Sequence, residues 1–214
     1  LRRLRVLLRM AASVSADEQL AGFRKEVAAL GIILGRIREW DVFIANTVQP
    51  MCARMPADGS LQLLLVVSQQ QRDANYNALH NDPQARTFQH LLLRFGIWLN
   101  GPYWQQFAQS GLQAHAFART YLSEMADNFA QAGENLSTHE AAQLHAMRIQ
   151  AKKLRYSAEF FASLYGKHKS RQYLRVLSEV QEVLGQINDD AVAQSLLDGL
   201  LSTPELVTHH QTIG

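Results

Sequence analysis

The sequence predicts an all-α protein made of two helical bundles. Three observations carry the helical class, and a duplication described below carries the division into two bundles. Apolar residues recur at three- and four-residue spacing almost from end to end, strand-like alternation is absent, and helix-start signals punctuate the chain. The chain has 214 residues, 47% hydrophobic and 19% charged, enough for a core without covalent staples. A single cysteine, Cys52, excludes an internal disulfide and any multi-cysteine metal site. With 12 glycines and 5 prolines, a collagenous or low-complexity chain is excluded.

The elements follow in order. A helix over 1–13 places Leu1, Leu4, Leu8 and Ala11 on one face. Ser15-Ala16-Asp17-Glu18 fits a capping box and opens a helix over 17–48. The helix over 59–81 contains the best apolar run, Leu61 to Val67, broken by Gln62 and far short of the ~18 residues of a membrane span. Asp82-Pro83 puts a capping side chain before a proline and opens 83–100, which ends in the turn Asn100-Gly101-Pro102-Tyr103-Trp104. Helices over 113–133, 138–164, 169–201 and 204–213 follow, the second opening at Ser137-Thr138-His139-Glu140 and the last at Thr203-Pro204. No signal peptide is read at the start, so a cytoplasmic protein is expected. Leu1 lies inside a helix and the chain stops at Gly214, so missing material is expected at both ends.

A long-period repeat organises these helices. At an offset of 150, Leu4-Arg5 meets Leu154-Arg155, Ala12-Ser13 meets Ala162-Ser163, Leu34-Gly35 meets Leu184-Gly185, Ile37 meets Ile187 and Val42 meets Val192. The alignment needs no gap, and it predicts an old duplication with residues 1–112 as the first half and 113–214 as the second.

The net charge of only +2 conceals two basic segments. His145, Arg148, Lys152 and Arg155 are spaced 3, 4 and 3, which at about 100° per residue makes one stripe on a helix. Tyr156 flanks the stripe and Lys153 lies further round, while Leu144, Met147, Ala151, Leu154, Ala158 and Phe161 form the opposite, apolar side. The start of the chain has the same design, with Arg2, Arg5 and Arg9 as the stripe and Arg3 beside it. Cations at this spacing repel by a few tenths of a kcal/mol each. Glu159 is the acid placed to relieve the second stripe, and the first has no acid before Asp17. Two such stripes at equivalent places in a duplicated chain point to an anionic ligand rather than to two solvated faces.

Acids follow a Leu-Gly pair in each half: Glu39 and Asp41 after Leu34-Gly35, Asp189 and Asp190 after Leu184-Gly185. Paired carboxylates suit a metal or acid/base catalysis. The stronger reading is that they pair with the basic helices and orient the cations. No Gly-rich phosphate loop, His-Glu-x-x-His or nucleophile elbow is present. His209-His210 reads as a solvated pair, Cys52 as a buried thiol, and Trp98 and Trp104 as core or corner residues.

The segment Leu144–Phe161, read as His-x-x-Arg-x-x-x-Lys-Lys-x-Arg-Tyr-x-x-Glu-Phe-Phe, resembles the CHAD family, the conserved histidine α-helical domain. Leu184–Val192 is similar to that family's second signature, with Ala191 in place of its last aspartate. Leu34–Val42 looks like the first-repeat version and keeps Asp41. Leu1-Arg2-Arg3-Leu4-Arg5 looks like the end of the first-repeat basic motif, without its histidine. The resemblance covers nearly the whole chain. It implies pseudo-twofold helical bundles whose basic helices line a central positive groove or pore, binding of inorganic polyphosphate, and association with polyphosphate granules and their proteins. In some relatives it comes beside triphosphate-processing domains.

The expectation is therefore a non-enzymatic polyphosphate-binding protein without cofactor or metal. Arg2, Arg3, Arg5, Arg9, His145, Arg148, Lys152, Lys153, Arg155 and Tyr156 would hold the chain of phosphates. Arginine offers forked donors and lysine a point charge. Two alternatives remain open. A metal-dependent enzyme acting on polyphosphate would need Glu39, Asp41, Asp189 and Asp190 as ligands. A nucleic-acid module would need exposed aromatics for base stacking, and only Tyr156 lies beside the stripe, which disfavours it. No membrane partner is expected.

Overall fold

The computed structural model describes residues 1–15, 17–82, 88–102, 113–134 and 141–202. Among these residues it is helical throughout, with no strand. The helices are α1 (Arg2–Val14), α2 (Glu18–Phe43), α3 (Gln49–Arg54), α4 (Gly59–Asn81), α5 (Phe88–Leu99), α6 (Ala114–Gly133), α7 (Ala141–Phe161) and α8 (Lys167–Leu201). The expected all-α class holds. The Pro83 and Ser137 starts, Tyr103-Trp104, His209-His210 and the 204–213 helix fall outside the described residues.

Local chemistry explains the ends. α1 runs to Val14 and leaves Ser15 extended as its C-terminal cap. The cap of α2 therefore passes to Asp17, whose Oδ1 accepts the Leu20 N–H at 2.8 Å. A carboxylate there also suits the positive end of the helix dipole. Asp58 does the same for α4, accepting from the N–H groups of Ser60 and Leu61 at 2.9 and 3.2 Å. The helix expected to stop at residue 48 continues, because α2 passes through a single π turn, Ile44–Val48, into α3. The Gln49 N–H reaches back five residues to the Ile44 carbonyl. Pro50 follows at once. Its ring would clash with a carbonyl four residues back in an α turn, and the wider turn gives it room.

The fold divides into two compact units, one of Leu1–Ala28 with Phe88–Asn188, the other of Ala29–Thr87 with Asp189–Gly214. Each unit draws on both sequence halves, and the 112/113 division expected from the repeat borders residues outside those described.

The first unit has two apolar centres. In one, Leu8, Leu20, Phe23, Val27, Leu91 and Trp98 are buried together. Phe23 meets Phe95 and Trp98 edge-on at 5.4 and 5.5 Å, and burial of Trp98 agrees with its reading as a core residue. In the other, Leu154, Ala158 and Leu177 pack with Leu122, Met125, Ala126 and Phe129, joining α7 to α6 and α8. The apolar side of α7 is the expected one, with Ala151 at 0% and Leu154 at 2% exposure. α1 differs from expectation. Besides Leu8 it buries Val6 and Met10, which lie on roughly the opposite side of the helix.

The second unit packs Phe43, Val48, Cys52, Leu64, Val67 and Leu200 into its own core. Cys52 is buried there, with its Sγ donating to the Leu61 carbonyl at 3.3 Å.

Candidate anion-binding site

The two burial rows of α1 decide where its cations go. Leu4 and Leu8 lie to one side, Val6 and Met10 to the other, and Arg5 and Arg9 fall between them. The arginine stripe therefore runs along a narrow exposed strip of a helix buried on both flanks. α1 packs against α7, which brings the two basic segments together within the first unit.

Two residues mark the junction. Glu159 continues the α7 stripe one turn beyond Arg155 and accepts from both helices. Its Oε2 takes Arg3 Nη2 at 2.5 Å and its Oε1 takes Arg155 Nη1 at 3.0 Å. Lys153, half-buried, donates to Gln150 Oε1 at 3.2 Å. Its amine is held below the ordinary lysine pKa, first by burial and then by the positive charges of Arg9 and Arg5. Burial is the larger cause, and the two smaller contributions come from arginines of α1 acting on a lysine of α7. Arg9 also acts on Tyr121, whose buried hydroxyl is pushed up by desolvation while the arginine pulls against the shift.

Along α7 the other expected residues are placed as follows. His145 is exposed, and its Nδ1 lies 2.8 Å from Asn188 Oδ1 on α8. Arg148 and Lys152 are half-buried. The Arg155 guanidinium stands over the Tyr156 ring, 5.0 Å from its centre. Arg2, Arg3, Arg5 and Arg9 are exposed.

The acids expected to orient these cations belong to the second unit. Asp41 accepts from the Tyr76 hydroxyl at 3.2 Å, which pushes the tyrosine pKa up, and it lies near Arg72. Glu39 is exposed, and Asp189 and Asp190 follow Asn188 on α8. Among the described residues no group of three His, Cys, Asp or Glu side chains is arranged to hold a metal ion. No described helix is long and apolar enough to cross a membrane.

Sequence reasoning missed three contributors. Asn188 sits inside the acidic motif and reaches the histidine. Arg24 and Lys25 of α2 line a cleft of about 330 Å³ together with Arg5, Leu8, Arg9, Ala21 and Ala28. Their signal was available: Ala21, Arg24, Lys25 and Ala28 share one helical face, with small residues at its ends that leave room beside the two cations.

The comparisons agree with this architecture. The family model described as "CHAD domain" matches residues 1–198. A crystal structure of the CHAD domain from the plant Ricinus communis is similar to this chain, with a TM-score of 0.75, 28% identity, and coverage of 99% of this chain and 70% of that one. No curated protein matches the chain. The signature helices, the all-helical fold and the family match converge, and the chain belongs to the CHAD-domain family.

Proposed function

We propose that this protein binds inorganic polyphosphate without transforming it, along the cations that α1 and α7 bring together, and that it associates with polyphosphate granules in the cytoplasm. One observation supports this above the rest. Glu159 accepts from Arg3 of α1 and Arg155 of α7, so the two basic helices meet, and Arg9 and Arg5 act on half-buried Lys153 there, a repulsion that a bound anion would relieve. A flexible polyanion suits a run of forked and point-like donors better than a ligand of fixed shape does. His145 is exposed at the start of the stripe, with its ring oriented through Nδ1 by Asn188. Tyr156 beneath Arg155 braces that guanidinium.

The test is a titration of long-chain polyphosphate and of RNA at equal phosphate concentration, with the wild type and with Arg148→Ala/Arg155→Ala. Charge-assisted hydrogen bonds contribute roughly 1.5–3 kcal/mol each, so the double variant loses about 3 kcal/mol or more. Wild-type affinity falls steeply with salt as condensed counterions are released. Equal competition by RNA would recast the surface as a general polyanion binder. Unchanged affinity in the folded double variant would remove the α7 stripe from the mechanism. Release of phosphate from the chain in the presence of a divalent metal would make the protein an enzyme.

A further inference from the structure

The α1–α2 cleft differs in kind from the α7 stripe. The stripe is a line of cations along one helix. The cleft gathers Arg5 and Arg9 from one helix and Arg24 and Lys25 from its neighbour around a space of about 330 Å³, floored by Leu8 and opened by Ala21 and Ala28. All four cations are exposed. None is in an ion pair or hydrogen bond with a described residue. No acid lines the cleft; Glu18, exposed in the first turn of α2, is not among its lining residues, and two other nearby acids are committed elsewhere. Asp17 caps α2, and Glu26 is bound by Arg94. Four positive groups around one small space, without an acid among them, match a ligand that concentrates negative charge over a few atoms.

We infer that this cleft binds a compact oligophosphate with a dianionic terminal phosphate, supplied either as a free short chain or as the end of a long polyphosphate. The inference rests on the polyphosphate reading and adds an end-recognising site to it. Internal phosphates of a chain carry one negative charge each, whereas the terminal group approaches two near neutral pH. A terminal group therefore gains most from a cluster, and internal groups gain most from a line. Arg5 and Arg9 belong to both arrangements, since they line the cleft and also act on Lys153 of α7. A chain ending in the cleft is thus handed directly to the neighbouring helix.

The experiment compares wild type, Arg24→Ala/Lys25→Ala and the charge-matched control Arg36→Ala/Arg38→Ala. All four substituted side chains are exposed, so folding is checked by circular dichroism and thermal melting. The ligands are tripolyphosphate, long-chain polyphosphate with free ends, and the same polymer with its ends capped as phosphoramidates. The expected result is a loss of at least about tenfold in tripolyphosphate affinity for Arg24→Ala/Lys25→Ala, and none for the control. A loss on the free-ended polymer but not on the capped one assigns the cleft to chain ends. A loss on tripolyphosphate alone assigns it to free short chains. Unchanged tripolyphosphate binding in the folded variant, or an equal loss in the control, overturns the inference while the long-chain reading stands. A wild type that binds no long chain overturns that reading instead, and the cleft then survives only if tripolyphosphate binds and depends on Arg24 and Lys25.

Discussion

Replacing Lys153 with methionine should move affinity and stability independently. The folded variant is relieved first of the cost of half-burying a charge, and then of the repulsion of Lys153 by Arg9 and Arg5, a few tenths of a kcal/mol for each like-charge neighbour. It loses the 3.2 Å hydrogen bond to Gln150, about 0.5 kcal/mol for a partly exposed pair. Methionine keeps the apolar stem, so the net change stays within about 0.5 kcal/mol and the melting temperature within about 2 °C. Binding behaves differently, because one charge-assisted contact worth roughly 1.5 kcal/mol disappears and polyphosphate affinity falls about tenfold. The pH dependence gives a second readout. The fold disfavours the ammonium form, so this residue makes the protein least stable where it is charged in both states. Stability rises as the pH climbs through the depressed pKa towards the ordinary 10.5. Bound phosphate favours the ammonium, so binding takes up a proton in that window and weakens as the pH rises through it. Calorimetric titration in two buffers of different ionisation enthalpy measures the proton, and a thermal melt measures stability. Unchanged affinity in the folded variant, or a fall in melting temperature well beyond about 4 °C, would refute the assignment of Lys153 to the ligand.

Glu159→Gln frees Arg3 and Arg155 for phosphate, so polyphosphate binding should tighten, while loss of two partly exposed ion pairs lowers the melting temperature by about 2 °C. Weaker binding in the same titration would mean that the carboxylate holds the two guanidinium groups in their binding geometry. Leu154→Ala empties a site 2% exposed between α6, α7 and α8, and should cost about 2–5 kcal/mol in denaturant unfolding. A cost below about 1 kcal/mol would show that this face is not a packed core.

The helical class was legible because burial follows a 3.6-residue period, as Ala151, Leu154 and Ala158 illustrate. Arg5 and Arg9 were legible as a stripe for the same reason. Their neighbours were harder to find, since packing sets them and spacing along one helix does not. Arg24 and Lys25 lie on a different helix from the stripe they join. Asn188 is hidden in a run of acids that drew attention to charge. Glu159 stood out as a relief of repulsion along its own helix, but its bond to Arg3 crosses from α7 to α1, and no local pattern encodes that. The second buried row of α1 went unread because Val6 and Met10 alternate with arginines, and this becomes sensible only once a helix packs on either side. The cap of α2 moved from Ser15 to Asp17 for a plain reason, that α1 extends one residue further than its pattern requires.

The π turn at Ile44–Val48 bears on how this chain tolerates change. Phe43 and Val48 are both core residues of the second unit, yet they lie five positions apart, while Val48 and Cys52 lie four apart. An uninterrupted α-helix would turn one of these two groups away from the core. The helix thus carries two phases, one read up to Phe43 and the other from Val48 onward, joined by one surplus residue. A point substitution at Pro50 leaves that surplus in place, because the phases are anchored by buried side chains on either side. Adding or removing one residue between them re-aims the whole following segment. Length, more than identity, is what this stretch of sequence has to preserve.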